Sequence, residues 1–301
     1  MQKKVSVVIT DLDNTLYDWL DSWYRSFTVF LDAIVEASGI SRNQLENEIR
    51  PVFQKYGTSE YPFFLQEIPS LQERFPDQDL VKKFERTIQA YRSQKSKISL
   101  YPTVLETLST LKKKGCLIVI FTESQEFYAT TRLKSLELDP YIDFLFSPED
   151  SVASNRVVDE FRQKYDPPVE LVHTKYRPVR RGEFKPDPRI LLEIIEQLGA
   201  AKEQTIYIGD SLMKDILMAQ RAGITDVHAK YGQTQDVLAY DQLRRVSHWT
   251  DEDILRDKEI IENAGSVSSS FVLETSLSEV LYLFEFKAFR SNDERRCHDE
   301  P

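Results

Sequence analysis

The chain has little cysteine, no long apolar run and no excess of positive charge. Its 301 residues include only two cysteines, Cys116 in an apolar run and Cys297 near the end. This usage excludes a disulfide framework and a thiolate zinc site. No run approaches the ~20 apolar residues that cross a bilayer, and the apolar stretch after Met1 is too short for a secretion signal. We therefore expect a cytoplasmic protein that neither enters a membrane nor is exported by that route.

The balance of charge limits the partners further. The sequence has 39 Lys and Arg residues against 49 Asp and Glu residues, which gives a net charge of -10. An acidic chain is a poor ligand for nucleic acid or for an anionic membrane, so neither is expected as a partner. An anionic substrate would have to be attracted by local positive charge. The length, set against ~150 residues per domain, suggests two structural units.

Carboxylates stand directly after two apolar, strand-like runs. Asp11 and Asp13 follow the first run, and Asp210 and Asp215 follow another. The Asp-x-Asp spacing alone is a weak signal, because it recurs elsewhere in the chain outside any strand-like pattern. In an open parallel sheet, ligands bind beyond the carboxyl ends of the strands. We therefore expect these carboxylates to converge on one site.

Two further segments add a hydroxyl and a cation. Thr122-Glu123-Ser124 ends an apolar run and precedes a helical pattern, which puts a hydroxyl and backbone N–H groups at a strand-to-helix turn. Helix N-termini favour anions. Lys185 stands just before Pro186-Asp187-Pro188, and these prolines suit the first turn of a helix. Lys185 is therefore predicted to lie at a helix entrance.

These four segments, in this order, resemble the signature motifs of the haloacid dehalogenase superfamily, from Val5 to about Tyr231. The resemblance implies an aspartyl-phosphate mechanism, with Asp11 as nucleophile and Asp13 as general acid/base. It also implies a Mg²⁺ site and a phosphate-binding set. The implied metal ligands are Asp11, Asp13 through its backbone carbonyl, Asp210 and, in support, Asp215, and the implied substrate-binding residues are Thr122, Glu123 and Lys185.

The chemistry of phosphoryl transfer agrees with these roles. A phosphate ester repels an attacking carboxylate unless cations neutralise the site, which Mg²⁺ and Lys185 would do. Mg²⁺ usually takes one or two carboxylates, and Asp11 and Asp210 suffice. Asp13 must hold a proton for the leaving alkoxide. Because the reference pKa of aspartate is ~3.9, this requires a pKa shift of roughly three units, or about 4 kcal/mol. The pKa of Asp11, beside the metal, is expected to shift downward.

Each residue also has a purely structural interpretation. A strand-end aspartate commonly caps a helix or forms a turn, because its side chain accepts hydrogen bonds from local backbone groups. Asp215 could pair with Lys214 or Arg221, and most lysines are solvated. It is the joint occurrence of the set that favours a site.

The strand-like runs alternate with helical patterns, which predicts an α/β fold: a Rossmann-like parallel sheet with helices on both faces. The predicted strands are 5–10, 116–121, 142–146, 205–208 and 224–228. A long segment after the first strand contains helical stretches and no strand pattern, so we predict a smaller all-helical cap. The predicted division is a discontinuous catalytic core at 1–16 and 101–289, a cap at 17–100 and a disordered polar tail at 290–301.

Two segments stand out from this framework. The cap begins with aromatic residues at helical spacing, predicted to form its core, except that Tyr17 and Trp19 lie close enough to Asp13 to reach the mouth of the site. The link 147–184 is longer than the resemblance leads us to expect. It contains a basic segment with His173, Lys175, Arg177, Arg180 and Arg181. A solvated loop, a surface for an anionic partner and a rim that guides substrate all stay open for Lys175–Arg181.

The sequence as a whole predicts a Mg²⁺-dependent phosphatase that acts on a small phosphorylated metabolite. Phosphomutase-type transfer uses the same residues and stays open as the alternative. A dehalogenase would need neither Asp13 nor Asp210, and a phosphonatase would need a cap lysine placed for imine formation, for which Lys55, Lys82 and Lys83 are available. A non-catalytic phosphoryl-binding protein would be expected to have lost part of the catalytic set, and no part is missing.

Overall fold

A parallel sheet of seven strands, in the order β5-β4-β3-β2-β6-β7-β8, organises the part of the chain that the structure describes. The structure is a computed structural model that describes residues 2–61, 64–95, 97–150, 169–180, 183–233, 237–252, 255 and 267–291. The strands are β1 (Lys4–Val5), β2 (Val7–Thr10), β3 (Leu117–Phe121), β4 (Phe144–Pro148), β5 (Lys175–Val179), β6 (Thr205–Gly209), β7 (Thr225–Ala229), β8 (Phe271–Leu273) and β9 (Glu285–Phe286). β1 and β9 form a separate parallel pair.

The central strands are largely apolar because both faces of the sheet are covered. In β2, Val8 packs into one hydrophobic cluster, whereas Val7 and Ile9 pack into a second cluster on the opposite face. The same alternation places Ile118 and Val119 of β3 in different clusters. Side chains of a strand alternate between faces, so a run buried on both sides is largely apolar. This confirms the predicted α/β sheet with helices on both faces.

Helices cover the sheet and form the cap. They are α1 (Trp19–Ser38), α2 (Arg42–Tyr56), α3 (Pro69–Arg74), α4 (Leu80–Lys83), α5 (Glu85–Lys95), α6 (Val104–Lys113), α7 (Glu126–Ser135), α8 (Pro188–Gln197), α9 (Leu217–Ala222), α10 (Val237–Val246) and α11 (Val280–Leu283), with a π-helical turn at Leu212–Ile216. α8 begins where the sequence predicted, with Asp187 as N-cap and Pro188 in its first turn. None of the helices in the described ranges is long and apolar enough to cross a bilayer.

The sequence did not predict the two edge strands of the sheet, β5 and β8. β5 lies at one edge, within the basic segment predicted as loop or partner surface, and its sequence Lys-Tyr-Arg-Pro-Val gives no buried-strand pattern. Charged residues and proline are typical of edge strands, because such a strand has one unpaired side and meets water. The side chains of Lys175, Arg177 and Arg180 are exposed there. Arg181 and residues 151–168 of the long link lie outside the described residues, as do residues 292–301 of the tail.

Most residues of one hydrophobic cluster, here called the cap cluster, come from the segment 17–100. Trp23, Phe27 and Phe30 of α1 are each about 1% exposed and belong to it, as the aromatic spacing predicted. The two chain crossings between the sheet and this segment lie side by side, because Tyr17 and Leu100 form a β-bridge. The predicted division into core and cap stays a prediction, and the separate cluster and the paired crossings support it.

One helix from late in the chain packs on the cap. Ala239, Leu243 and Val246 of α10 are buried in the cap cluster, although the sequence assigned this stretch to the catalytic core. An ion pair also connects α10 with the cap, since Arg245 Nε lies 2.8 Å from Glu46 Oε2 of α2. α10 has an amphipathic pattern that predicts a helix, but periodicity does not indicate which neighbour its apolar face meets.

This packing makes a prediction for two leucines of one helix. Leu243 is 2% exposed, whereas Leu238 is 71% exposed. Leu243→Ala should lower the free energy of unfolding by about 2–5 kcal/mol, because it leaves a cavity in the cap cluster. Leu238→Ala should change it by less than about 0.5 kcal/mol. Denaturant unfolding of the two variants measures this, and equal effects would show that α10 does not pack there.

Candidate active site

The site lies where the order of strands reverses. From β2 the chain winds outward through β3, β4 and β5 to one edge, then returns to the other side of β2 with β6. Parallel registers fix the three central strands, since Thr10 pairs with Ile120 and also with Ile208. Ligands bind at such switch points beyond the carboxyl ends of the strands. The predicted site residues therefore start from adjacent strand ends.

A buried lysine lies between two carboxylates. Lys185 Nζ is 2.5 Å from Asp11 Oδ1 and 2.8 Å from Asp215 Oδ1, and all three residues are 6% exposed or less. Lys185 therefore belongs to the site, and the alternative of a solvated lysine is wrong. Burial alone lowers the pKa of Lys185, but Asp11 and Asp215 outweigh it and raise that pKa well above its usual value. The lysine is held as a cation.

Asp210 completes a carboxylate group with Asp11 and Asp215. Each offers an oxygen, and these oxygens all lie within 4.8 Å of one another. The Thr15 hydroxyl lies 3.3 Å from Asp11 Oδ2 and 3.4 Å from Asp210 Oδ1. His228 Nε2 contacts the backbone oxygen of Asp210 at 2.9 Å. Three clustered oxygen donors are a suitable set for a hard cation such as Mg²⁺.

The crowding of carboxylates affects their protonation. Burial raises the pKa of Asp11 to about 7, against the opposing effect of Lys185, and the charge of Asp215 adds to the rise. Burial and the charges of Asp215 and Asp11 likewise raise the pKa of Asp210 well above its usual value. The protein groups alone thus raise the pKa of Asp11, whereas the sequence predicted a lower pKa beside a metal. A bound cation would relieve this repulsion, so the donor set fits a divalent metal.

Asp215 is held by three protein donors. Besides Lys185, Tyr207 donates its hydroxyl proton to Asp215 Oδ1 at 2.9 Å, and the Ser211 backbone N–H donates to Oδ2 at 3.1 Å. A Cβ atom at Gly209 would lie only 2.3 Å from Asp215 Cγ, so the last residue of β6 must be glycine for this carboxylate to approach. The contacts made by Asp215 are thus to the site and to its own turn.

Asp13 is surrounded by a second set of groups. Tyr17 donates to Asp13 Oδ1 at 2.5 Å, and Ser124 donates to Oδ2 at 2.6 Å. The Thr122 hydroxyl lies 3.3 Å from Oδ2, and Arg132 Nη1 lies 3.1 Å from Oδ1. The expectation that Tyr17 reaches the mouth of the site is thus matched by a direct bond to Asp13, whereas Trp19 packs between the core and cap clusters.

Glu123 joins three segments. Its Oε1 accepts from the backbone N–H of Lys185 at 2.8 Å, and its Oε2 lies 2.8 Å from Lys214 Nζ. Both carboxylate oxygens are therefore engaged with protein groups. Glu123 holds the Lys185 loop and the π-helical turn against the end of β3, and a direct contact with substrate stays a prediction.

The sequence reasoning missed Arg132 and Glu60. Arg132 on α7 is 5% exposed and contacts Asp13 with one nitrogen and Glu60 of the cap with the other. Neither residue belongs to a motif, and their separations from Asp13 along the chain are long. Helical spacing could have grouped Arg132 with Gln125 and Tyr128 on one face, but nothing in the sequence aims that face at the site.

Two curated proteins that are similar to this chain are named as phosphatases. The glyceraldehyde 3-phosphate phosphatase of Methanopyrus kandleri is 24% identical over 237 residues, 77% of this chain and 87% of that protein. The phosphoglycolate phosphatase of Agrobacterium fabrum is 28% identical over 160 residues, 53% of this chain and 55% of that protein.

Two solved structures share the fold. A 2-haloacid dehalogenase from Pseudomonas syringae superposes with a TM-score of 0.54 at 16% identity, covering 93% of this chain and 97% of that one. A HAD phosphatase from Thermococcus onnurineus gives a TM-score of 0.51 at 18% identity, covering 93% and 99%. The haloacid dehalogenase-like hydrolase family matches residues 5–223, a range that begins in β1 and includes Asp11 through Asp215. The chain therefore belongs to the haloacid dehalogenase-like hydrolases.

Proposed function

We propose that this protein is a Mg²⁺-dependent phosphatase that hydrolyses a small phosphomonoester through an aspartyl phosphate on Asp11. The observation that carries the proposal is the placement of Lys185, Asp210 and Asp215 around Asp11, with Asp13 two residues away among its own donors. The proposed nucleophile, a cation and an oxygen-rich candidate metal site thus lie together, and the proposed acid stands two residues further along the chain. The names of the relatives support a phosphate ester as substrate.

In the first half-reaction, a carboxylate oxygen of Asp11 attacks phosphorus. A bond forms between that oxygen and phosphorus as the bond from phosphorus to the ester oxygen breaks. Asp13 gives its proton to the departing alkoxide, which would otherwise be a poor leaving group. Lys185, 2.5 Å from Asp11, offsets the negative charge that the phosphoryl group brings.

In the second half-reaction, water releases the phosphoryl group. Asp13, now ionised, takes a proton from a water molecule that attacks phosphorus, and the bond to the Asp11 oxygen breaks. Asp11 returns as a carboxylate and inorganic phosphate leaves. We assign to the Thr122 hydroxyl, which lies 3.3 Å from Asp13 Oδ2, the binding of a phosphoryl oxygen.

The metal would be held by Asp11 and Asp210, with the backbone carbonyl of Asp13 as a further ligand. Mg²⁺ bound there supplies neutralisation of the phosphoryl oxygens. Asp215 is engaged by three protein donors, so we assign it the task of fixing Lys185 and not direct ligation. The fold likeness to a dehalogenase does not argue for halide displacement, because such a reaction has no use for the metal set or for Asp13.

The leaving group is proposed to be small. The relatives are named for glyceraldehyde 3-phosphate and phosphoglycolate, which are short phosphorylated metabolites. We place the substrate of this protein in that class. The basic residues Lys175 and Arg177 lie on the edge strand β5, and Arg180 directly follows it. A role for the segment Lys175–Arg181 in binding an anionic partner stays a prediction.

The covalent role of Asp11 predicts a severe and specific loss. Hydrolysis of an aryl phosphate should require Mg²⁺ and cease with a chelator. Asp11→Asn should lower kcat by ~10³-fold or more, because the amide is not a nucleophile of comparable strength. Asp77→Asn, at an exposed turn of the cap with φ 58° that asparagine also adopts, is the matched control and should be unaffected. Substantial activity in Asp11→Asn would rule out the covalent mechanism.

The acid role of Asp13 predicts a dependence on the leaving group. Asp13→Asn should slow hydrolysis of an alkyl phosphate by ~10²–10⁴-fold and that of a nitrophenyl phosphate far less, because a good leaving group departs without a proton. The ratio is measured as kcat/KM for the two esters, which covers the steps up to departure of the leaving group, because hydrolysis of the phosphoenzyme is common to both esters and would limit kcat in this variant. Equal losses on the two esters would show that Asp13 is not the acid.

A further inference from the structure

One face of α7 connects the catalytic sheet with the cap. Gln125, Tyr128 and Arg132 have the i, i+3, i+7 spacing that places them on one side of a helix. Gln125 donates to the backbone oxygen of Tyr56 at 3.0 Å, and the Tyr128 hydroxyl donates to the backbone oxygen of Glu60 at 3.1 Å. These bonds hold the cap loop 57–60 against α7. The third residue of the face, Arg132, makes its contacts with side chains.

The guanidinium of Arg132 divides its nitrogens between the cap and the site. Nη2 bonds to Glu60 Oε2 of the cap loop. Nη1 lies 2.7 Å from Ser124 Oγ and 3.1 Å from Asp13 Oδ1. Arg132 and Glu60 are both 5% exposed. A single planar group thus contacts the candidate acid on one side and a cap carboxylate on the other, and its rigid fork couples the two positions.

Glu60 is itself held firmly within the cap. Lys95 Nζ of α5 lies 2.7 Å from Glu60 Oε1. The preceding residue, Ser59, accepts from Trp23 Nε1 through its backbone oxygen at 2.9 Å, and its hydroxyl contacts His248 Nδ1 at 3.0 Å. Burial alone raises the pKa of Glu60, but Arg132 and Lys95 outweigh it and lower the pKa to about 2. Glu60 is therefore fixed to the cap and ionised.

We propose that Arg132 is a positioning residue for Asp13 and that Glu60 sets its position when the cap loop is docked. With the loop in place, Glu60 holds Nη2, so that Nη1 fixes the carboxylate of Asp13 beside Ser124 and Tyr17. When the loop leaves α7, Arg132 loses one of its two anchors and Asp13 loses a fixed partner. Closure of the cap over a substrate would thereby bring the acid into its working orientation. This inference rests on the proposed function, because it assigns Arg132 as the partner of the proposed acid, Asp13.

A buried ion pair between two structural units is also compatible with a role in stability alone. Removing one partner of such a pair is costly wherever it occurs, because the other charge is left buried and unpaired. The two roles differ in what they do to chemistry. A structural role lowers activity toward all esters alike, whereas a positioning role acts only where Asp13 acts.

The test is a mutant cycle between Glu60 and Asp13 with two substrates. Glu60→Gln keeps the shape of the side chain and removes its charge. It should lower kcat/KM, which covers the steps up to departure of the leaving group, by ~10–100-fold for an alkyl phosphate and by less than ~3-fold for a nitrophenyl phosphate, the pattern of Asp13→Asn in weaker form. In the Asp13→Asn background, Glu60→Gln should cause no further alkyl-specific loss, because the group through which it acts is already gone.

Two more variants separate positioning from stability. Glu46→Gln is the matched control, since Glu46 is also a buried cap glutamate paired with an arginine, Arg245, and makes no contact with α7 among its described bonds. Its effect should be equal on the two esters. Arg132→Lys keeps the buried charge but not the fork, and it should reproduce the alkyl-specific loss even if Glu60→Gln folds poorly.

Additive losses from Glu60→Gln and Asp13→Asn, or equal losses on both esters in Glu60→Gln and Arg132→Lys, would overturn the positioning role while the phosphatase stands. If the wild-type protein hydrolyses neither ester with Mg²⁺, the proposed function is wrong. If Asp13→Asn lowers kcat/KM equally for both esters, Asp13 is not the acid. In either case the positioning role is wrong as well.

Discussion

The ion pairs of Lys185 are the interaction on which the site depends. One buried ammonium lies between Asp11 and Asp215, and an oxygen of Asp210 lies within 4.8 Å of an oxygen of each of these two carboxylates. Three carboxylates against one ammonium leave two net negative charges when all are ionised. Burial makes such an excess expensive, which is why the pKa of Asp11 rises to about 7 in the presence of the protein groups alone. Under the proposed function, a divalent cation bound there would offset this excess and favour an ionised Asp11.

The fold supplies this arrangement by bringing strand ends together at the switch point. β2 and β6 deliver the carboxylates, the end of β3 delivers Thr122, Glu123 and Ser124, and the entrance to α8 delivers Lys185. Close approach is built into the turns, since glycine at 209 admits the Asp215 side chain and glycine at 232 admits the backbone oxygen of Asn14. A methyl group at either position would require the site to shift.

The convergence of Asp11 with Asp210 and the central strands could be predicted from sequence, because both aspartates follow runs buried on both faces and such runs are hard to mistake. The edge strand β5 could not, because an edge strand with lysine, arginine and proline has the composition of a loop. The cap position of α10 and the bonds of Arg132 with Glu60 are long-range contacts between residues that no local pattern connects. Sequence periodicity gives the faces of a helix, and the tertiary fold decides what each face meets.

The most direct test of the account is to trap the covalent intermediate. In Asp13→Asn the first step with a nitrophenyl phosphate stays feasible, while the loss of the base slows release by water, so phosphoenzyme should accumulate. Acid quenching followed by borohydride reduction converts an aspartyl phosphate to homoserine, which peptide mass spectrometry locates. The account predicts near-stoichiometric reduction at Asp11, dependent on Mg²⁺, and none at Asp210 or Asp215. Release of nitrophenol in one full equivalent without a reduced Asp11 would contradict it.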